Sequence, residues 1–191
     1  MPDPDRQRAD PDGRDERAAA RLVGVDRLLA DPGAFADACA AERLAIFRTL
    51  LAVSGDPDLA DDLAQDALKR ALERREQYRG DAPLGAWLHR IALNSWRDHV
   101  RWRRLRRWVG LDDPATWAVA APPAGDPDAA IDLRRALARL PDRQRAAIVL
   151  RYYHDYDYAA IGAALGVTAG SAGSILSRAI DRLEAELRDR S

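Results

Sequence analysis

The stretch GDAPLGAWLHRIALNSWRDHVRWRRLRRW, residues 80–108, decides which fold this sequence predicts. The two glycines and the proline of residues 78–85 exclude a helix that runs through them, whereas Pro83 suits the first position of a new helix. Apolar residues then recur at helical spacing, which predicts one long helix from Pro83 to about Arg107. Its apolar face is expected to carry Leu84, Leu88, Ile91, Ser95 and Trp102, with Trp87 beside it and pointing inward.

The polar face of the same helix carries a stripe of five residues at intervals of four, three, four and three. They are Arg90, Asn94, Arg97, Arg101 and Arg104. Residues 97–108 hold six arginines and only one acid, Asp98. This imbalance favours a nucleic-acid backbone over a solvated face, because guanidinium groups repel one another and match phosphate oxygens. The amide of Asn94 is able to read a base edge.

The segments before this helix predict shorter helices. Residues 1–17 have almost nothing to bury, which predicts disorder. Residues 18–30 have the spacing of a short amphipathic helix of open function, and residues 34–54 that of one or two helices. A further helix over 58–75 follows a break at which Asp56 or Asp58 can cap it. That helix is expected to bury Leu59, Leu63, Ala67 and Leu72.

The C-terminal part has the pattern of a helix-turn-helix. Residues 111–130 contain four acids, no base and four prolines, a composition typical of a linker. After them, a short helix carries Ile161 and Leu165, Gly166 allows a tight turn, and Thr168 caps a second helix. The buried side of that second helix is predicted to be Ala172, Ile175, Leu176, Ala179 and Leu183. Its outer side then suits the major groove of DNA, although a plain helical hairpin is the alternative.

Composition and charge exclude several classes of protein. The chain has a net charge of −1, but residues 34–110 carry +3, the linker −4 and residues 131–191 +2. No strand pattern occurs, so the fold is predicted to be all-α: two small helical domains, joined by a flexible acidic linker, follow an N-terminal extension over 1–33. No apolar run is long enough to span a membrane and no secretory signal is present, which favours the cytoplasm.

Neither an enzyme nor a metal site is expected. The chain has no HExxH, P-loop, GxGxxG or serine-elbow motif. His89, His99 and His154 lack metal-ligand spacing, and His89 is expected to be polar surface. The single cysteine, Cys39, excludes an intrachain disulfide and is predicted to be buried. No catalytic residue, metal or cofactor is therefore predicted.

Three segments in a fixed order resemble bacterial sigma factors of the extracytoplasmic-function (ECF) subgroup. They are DDLAQDALKRAL, YRGDAPLGAWLHRIALNSWRDHVRWRR and LPDRQRAAIVLRYYHDYDYAAIGAALGVTAGSAGSILSRAIDRLEAEL. The resemblance implies that the first domain (region 2) binds core RNA polymerase and the minus-ten promoter element, and that the last (region 4) binds the minus-thirty-five element. It also implies promoter DNA and core polymerase as partners, with an anti-sigma factor as a further expected partner.

The resemblance assigns roles to particular residues. The positions matching the polymerase-binding segment are Asp62, Gln65 and Asp66. The loop that captures a flipped minus-ten base, with the basic helix beside it, corresponds to Tyr78, Arg79, Asp81, Asn94, Arg97, Arg101 and Arg104. The minus-thirty-five contacts correspond to Ser171, Ser174, Ser177, Arg178 and Arg182. The recognition helix departs from the family at Gly173, where a basic residue is common, and the preceding helix departs at Ala160 and Gly162.

Two alternatives for residues and function stay open at this stage. Trp96, Trp102 and Trp108 suit either base stacking or packing within the domain. The function itself is predicted to be promoter-specific initiation, with a stand-alone helix-turn-helix regulator as the alternative. The acids of the linker are predicted to imitate phosphate charge in a basic channel of the polymerase; they are Asp112, Asp113, Asp126 and Asp128.

Overall fold

The computed structural model describes residues 24–108, 133 and 135–188, and in these ranges every regular element is helical. The predictions of a disordered start and a linker over 111–130 concern residues outside the described ranges. The helices are α1 (Pro32–Ala41), α2 (Arg43–Ser54), α3 (Pro57–Glu73), α4 (Leu84–Trp108), α5 (Asp142–Tyr152), α6 (Tyr158–Leu165) and α7 (Ala169–Arg188). Residues 24–30 and 135–139 add two short helical segments, and Arg75–Gln77 forms a 3-10 turn.

Local capping explains where these helices begin and end. Asp56, not Asp58, caps α3, because its side chain accepts bonds from the backbone N–H groups of Asp58 and Leu59. The helix therefore starts at Pro57, one residue before the predicted position. The preceding helix, α2, ends at Gly55, whose φ of 70° is a left-handed conformation that suits glycine. Asp56 and Gly55 thus set the boundaries that the sequence pattern left approximate.

The four N-terminal helices form a bundle in which α2 and α4 both pack on α3. Its core includes Phe35, Cys39, Ile46, Leu50, Leu88 and Trp96. Two predicted core residues are wrong: Leu72 is 43% exposed and Trp102 is 65% exposed. Leu72 follows the buried Ala71 and lies about 100° round the helix from it. Trp102 is exposed because it lies at the open cleft between α3 and α4, not in the bundle core.

The C-terminal helices have the predicted helix-turn-helix geometry. α6 and α7 meet at 93°, across the turn formed by residues 166–168. Gly166 has a φ of 68°, and the hydroxyl of Thr168 accepts a bond from the Ser171 N–H at 3.2 Å. Glycine replaces the residue usual in the family at position 162 for a steric reason, since a Cβ there would lie 2.8 Å from the Val167 carbonyl oxygen. The tight turn itself therefore requires glycine at this position.

The two domains pack against each other, which no sequence pattern indicated. α2 contacts α5 and α4 contacts α6, and the buried side chains of both domains form one continuous cluster. Small domains bury a limited fraction of their surface alone, so packing together increases the apolar area removed from water. Among the described residues, no single helix is long and apolar enough to cross a membrane.

Candidate polymerase and nucleic-acid interfaces

The outward face of α3 presents part of the predicted polymerase-binding set. Asp62 and Gln65 are exposed, and the Gln65 side chain donates to Asp61 at 2.6 Å. Asp66 is half-buried, because it pairs with Arg70 at 2.9 Å and accepts a long hydrogen bond from Ser95 of α4. The first two residues are therefore free to meet a partner, whereas Asp66 also ties α3 to α4.

Leu72 is a candidate interface residue that the sequence analysis missed. It lies on the exposed face of α3 together with Asp62, Gln65 and Lys69, at intervals of three, four and three. An exposed leucine among polar neighbours is a common centre for a docking surface. The sequence contained a pattern that would have placed Leu72 on the surface. A stripe of alanines at helical spacing already forms the buried face of α3; it consists of Ala60, Ala64, Ala67 and Ala71.

The loop over residues 78–82 is closed by the aromatic ring at its start. Tyr78 is only 6% exposed, and its hydroxyl donates to the Ala82 carbonyl at 3.0 Å. Its ring centroid lies 5.4 Å from that of Trp87 and 6.4 Å from that of Phe35. Arg79 and Asp81 are exposed on the loop. Tyr78 therefore shapes the loop from inside, and the two charged residues present it to solvent.

The predicted arginine stripe is exposed along α4. Arg90, Asn94, Arg97 and Arg101 all face solvent, and only the backbone of Arg104 is described. Partial burial and the neighbouring Arg143 of α5 lower the pKa of Arg97. Arg101 lines a cleft of about 480 Å³ between α3 and α4 that also contains Asp66 and Trp102. The described part of the stripe thus presents three arginines and an asparagine to solvent on one face of α4.

Of the three tryptophans left open, one is now assigned to the core. Trp96 is buried within the bundle, so stacking on a base is excluded for it in this arrangement. Trp102 stays accessible beside Arg101 at the cleft. The side chain of Trp108 lies outside the described residues.

The outer face of α7 collects every residue predicted to contact the minus-thirty-five element. Ser171, Ser174, Ser177, Arg178 and Arg182 are all exposed. The opposite face buries Ala172, Leu176 and Ala179, with Ile175 and Leu183 at its edges.

Local bonds hold part of this outer face in place. Arg178 donates from Nε to the Ser174 carbonyl at 3.0 Å, which leaves its terminal nitrogens for an anion. A Cβ on Gly173 would make only ordinary contact with Tyr158, so packing does not require the glycine. The missing basic residue at this position therefore has no steric cause.

A chain of polar groups lies in the seam between the domains. His89 of α4 is 0% exposed, so the expectation that it is polar surface is wrong. Its Nδ1 is 2.8 Å from the Gly85 carbonyl, which only accepts, so Nδ1 carries the proton. The Thr49 hydroxyl lies 3.0 Å from His89 Nε2 and 2.8 Å from His154 Nε2, and it also contacts the Ala45 carbonyl at 3.2 Å. These polar contacts join α2 and α4 to the segment that follows α5.

Acidification should weaken the fold through this seam. Burial lowers the pKa of His89 to about 4, and burial followed by the charge of Arg48 lowers the pKa of His154. Because the unfolded chain binds protons more readily, stability is fully present above pH 6.5 and falls as the pH approaches 4. The titration of His89 alone should lower the free energy of unfolding by about 1 kcal/mol at pH 5.5.

The measurement is the free energy of unfolding by urea between pH 7.5 and 5.5. The His89→Gln variant should show a flatter dependence on pH, since glutamine does not titrate. An equally steep dependence in the variant would assign the effect to other groups.

The seam also brings region 4 next to the arginine stripe. A Cβ on Gly166, at the turn after α6, would lie 3.8 Å from Nε of Arg90. Arg143 of α5 donates to the Leu165 carbonyl and is close enough to Arg97 to affect its ionisation. In this closed arrangement the helix-turn-helix therefore sits against the helix that carries the predicted minus-ten contacts.

Among the described residues, no group of three or more His, Cys, Asp or Glu side chains is arranged to hold a metal ion.

Comparison with known families gives two matches that together cover most of the chain. Residues 40–107 match the family described as Sigma-70 region 2, and residues 130–183 match Sigma-70, region 4. The chain is similar to the ECF RNA polymerase sigma factor SigM of Mycobacterium tuberculosis, with 34% identity over 171 residues, 90% of this chain and 85% of that protein. It is 33% identical over 136 residues to SigF of Caulobacter vibrioides, covering 71% and 75% of the two chains.

Two solved structures share the arrangement of helices. The sigma factor RpoE in complex with the anti-sigma factor NepR, from Bartonella quintana, aligns with a TM-score of 0.69 and 28% identity. That alignment covers 81% of this chain and 96% of RpoE. CnrH in complex with the cytosolic domain of CnrY aligns with a TM-score of 0.65 at 23% identity, which is a likeness of fold.

Proposed function

The chain belongs to the sigma-70 family as an ECF sigma factor, and from this premise we propose how its two domains divide the work. A protein of this family directs promoter-specific initiation of transcription and carries no catalytic residues, because the polymerase makes the RNA. We assign polymerase binding and the minus-ten element to residues 34–110, and the minus-thirty-five element to residues 131–191. Residues 111–130 connect them.

The proposed polymerase contact is the outward face of α3. Asp62 and Gln65 are exposed there without a role in packing, and Leu72 adds apolar surface on the same side. Polar groups around one exposed leucine give a partner both orientation and buried area.

The proposed minus-ten contact is the loop over 78–82 together with the stripe on α4. The observation that carries it is the exposure of Arg90, Asn94, Arg97 and Arg101 on one face of α4, together with the exposure of Arg79 and Asp81 in the loop that precedes this helix. Extruding a base costs a few kcal/mol, so a preformed loop and adjacent positive charge must offset that cost. The arginines hold the backbone while the loop and Asn94 read the base.

The proposed minus-thirty-five contact is the outer face of α7, with Arg178 and Arg182 on phosphates. It offers serines and no basic residue at Gly173, so few groups remain for reading bases. We therefore expect weak recognition of the minus-thirty-five element by this domain alone.

The two domains must separate on a promoter. The two elements are about 25 base pairs apart by definition, or about 85 Å along the axis. In the closed arrangement α6 contacts α4 and α7 follows after a three-residue turn, so both DNA-binding faces belong to one compact body. A chain of twenty residues reaches about 70 Å when extended. The linker and the width of the two domains together therefore cover the distance of about 85 Å between the elements.

Removing the stripe should weaken promoter complexes in a salt-dependent way. Replacing Arg97, Arg101 and Arg104 with glutamine removes about three phosphate contacts, so the log–log dependence of affinity on salt should fall by about 2.7. The matched control replaces Arg135, Arg139 and Arg188, which are exposed arginines of the other domain. Affinity of the holoenzyme for a promoter fragment, measured from 50 to 200 mM salt, gives both slopes. Equal slopes for the two triple variants would show that the stripe faces elsewhere.

Run-off transcription with purified core polymerase on genomic fragments tests the function as a whole. A sigma factor yields transcripts with defined starts only when chain and core are combined. A stand-alone helix-turn-helix regulator would instead bind intact duplex without polymerase and start no transcripts. No described feature favours that alternative, because it leaves the exposed face of α3 and the stripe on α4 without a role.

Partner and location follow from the same proposal. The structural neighbour RpoE is bound by an anti-sigma factor, and we propose that this chain is held inactive by a protein of that class. A chain that works on core polymerase and promoter DNA is proposed to act in the cytoplasm.

A further inference from the structure

We propose that the helical segment over residues 24–30 braces the base-capture loop, residues 78–82, with Val25 as the positioning residue. The proposal rests on the proposed function, since it concerns the loop assigned to the flipped minus-ten base. It gives a role to a segment that lies ahead of the part matched by region 2, which begins at residue 40.

The contact that carries the proposal joins Val25 to Gly80. A Cβ built on Gly80 would lie 2.5 Å from Cγ2 of Val25, and the three atoms nearest to it all belong to that valine. Gly80 also has a φ of 74°, a left-handed conformation that residues other than glycine rarely adopt. The loop backbone thus bends in a left-handed turn directly against the side chain of Val25.

The loop is also anchored by the tyrosine at its start. Tyr78 packs its ring against Phe35 of α1 and Trp87 of α4, and its hydroxyl closes the loop onto Ala82. The backbone is therefore held at Tyr78 by the aromatic cluster and at Gly80 by Val25. Arg79 and Asp81 are exposed on a loop that is held at these two points.

The segment itself is fixed in direction, as a brace requires. Val25, Leu28 and Leu29 pack against the core, whereas Asp26 and Arg27 are exposed. Asp31 follows directly, and its side chain accepts bonds from the N–H groups of residues 33 and 34, at 2.8 and 3.2 Å. This cap fixes the start of α1 directly after the segment, while the packing of its three apolar side chains holds the segment on the core.

A braced loop matters because base capture needs a pocket that is ready before the base arrives. A loop that must order itself on binding loses affinity and selectivity to the entropy of ordering. Val25 holds the turn at Gly80 in place, and through it the spacing between the two charged residues that flank the glycine. Selectivity at the captured position should therefore depend on a residue that never touches DNA.

The first test selects single-stranded decamers of random sequence with holoenzyme made from the full chain and core polymerase. Val25→Ala should lower enrichment of the preferred base at the captured position about fivefold. Preferences elsewhere and affinity for core should stay unchanged. Val25→Ile, which keeps the branched side chain, should retain selectivity. Val53→Ala, which removes the same two methyl groups from the core at α2, is the control and should lower stability without altering that position.

The second test combines substitutions at the two contacting positions. Gly80→Ala meets both the left-handed strain and the side chain of Val25, so its loss of selectivity should be severe. In the Val25→Ala background the nearest atom is removed, and the double variant should be more selective than Gly80→Ala alone. If the double variant loses as much selectivity as the two single variants together, the proposed contact between Val25 and Gly80 is refuted.

Amide hydrogen exchange in the free chain separates failure of the brace from failure of the function. Val25→Ala should speed exchange at Gly80 and Asp81, with Val53→Ala as the reference, whether or not the chain binds polymerase. Unchanged exchange, or decamer selection that improves when Val25 is shortened, would overturn the proposal. A wild-type chain that forms no holoenzyme would refute the proposed function and leave the exchange result to decide on the brace.

Discussion

Replacing Asp62 and Gln65 with arginine together should abolish binding to core RNA polymerase while the chain stays folded. Both side chains are exposed on α3 and neither supports the bundle core. Two added guanidinium groups would face the partner surface that pairs with the native polar groups, and like charges or unpaired charges at an interface cost several kcal/mol. The expected loss of affinity is at least about a hundredfold.

Asp66 is left intact in this design for a structural reason. It pairs with Arg70 and accepts a bond from Ser95, so an arginine there would also disturb the packing of α3 on α4. The loss of binding would then be difficult to assign to the interface.

The matched control places the same two arginines, three residues apart, on α1. Asp37 and Ala40 are exposed there, so Asp37→Arg with Ala40→Arg changes the net charge equally. Co-elution with core polymerase and the thermal unfolding midpoint are measured for both double variants. Retained binding by the α3 variant would refute the assignment of this face, and equal loss in the α1 variant would assign the effect to net charge alone.

Arg145→Ala should cause the largest loss of stability of any single substitution proposed for this chain. Arg145 is 5% exposed, and its guanidinium donates four hydrogen bonds to backbone carbonyls. The acceptors are the carbonyl oxygens of Val53, Leu137, Ala138 and Leu140, at 2.8–2.9 Å. Removing the donor leaves buried carbonyls unsatisfied, and the expected cost is about 3–5 kcal/mol.

One of these bonds crosses the seam between the domains, so a second effect of the substitution is expected. The bond to Val53 ties α5 to the end of α2, so its loss should also loosen the two domains. Urea unfolding followed by two probes, one in each domain, should then give transitions that no longer coincide. Arg145→Lys should recover little, because a compact ammonium cannot reproduce the fork of a guanidinium.

Arg143→Ala is the control for this substitution. It lies two residues away on the same helix, is exposed, and makes one hydrogen bond of 3.4 Å. Its cost should be below about 1 kcal/mol. A similar small cost for Arg145→Ala would show that water replaces the four lost hydrogen bonds.

Much of the candidate site was predictable because helical spacing alone decides which side chains share a face. Arg90, Asn94, Arg97 and Arg101 are exposed together on α4 because intervals of three and four return to the same side of a helix. The serine and arginine face of α7 follows for the same reason. The exposure of Leu72 was not predicted. The buried face of α3 is formed by a stripe of alanines, and alanine is less hydrophobic than leucine, so hydropathy alone favoured Leu72 for the core.

By itself, the sequence determined the helices, the cap at Thr168, the turn at Gly166 and the stripe, because these depend on residues within one or two helical turns. It narrowed the cap of α3 to Asp56 or Asp58, and the structure selected Asp56. Only the tertiary structure decided that the two domains close on each other, that His89 is buried, and that Val25 meets Gly80. These contacts join residues 40 or more positions apart in the chain. Local spacing carries no information about such pairs, because they are selected by the fit of whole surfaces once the helices exist.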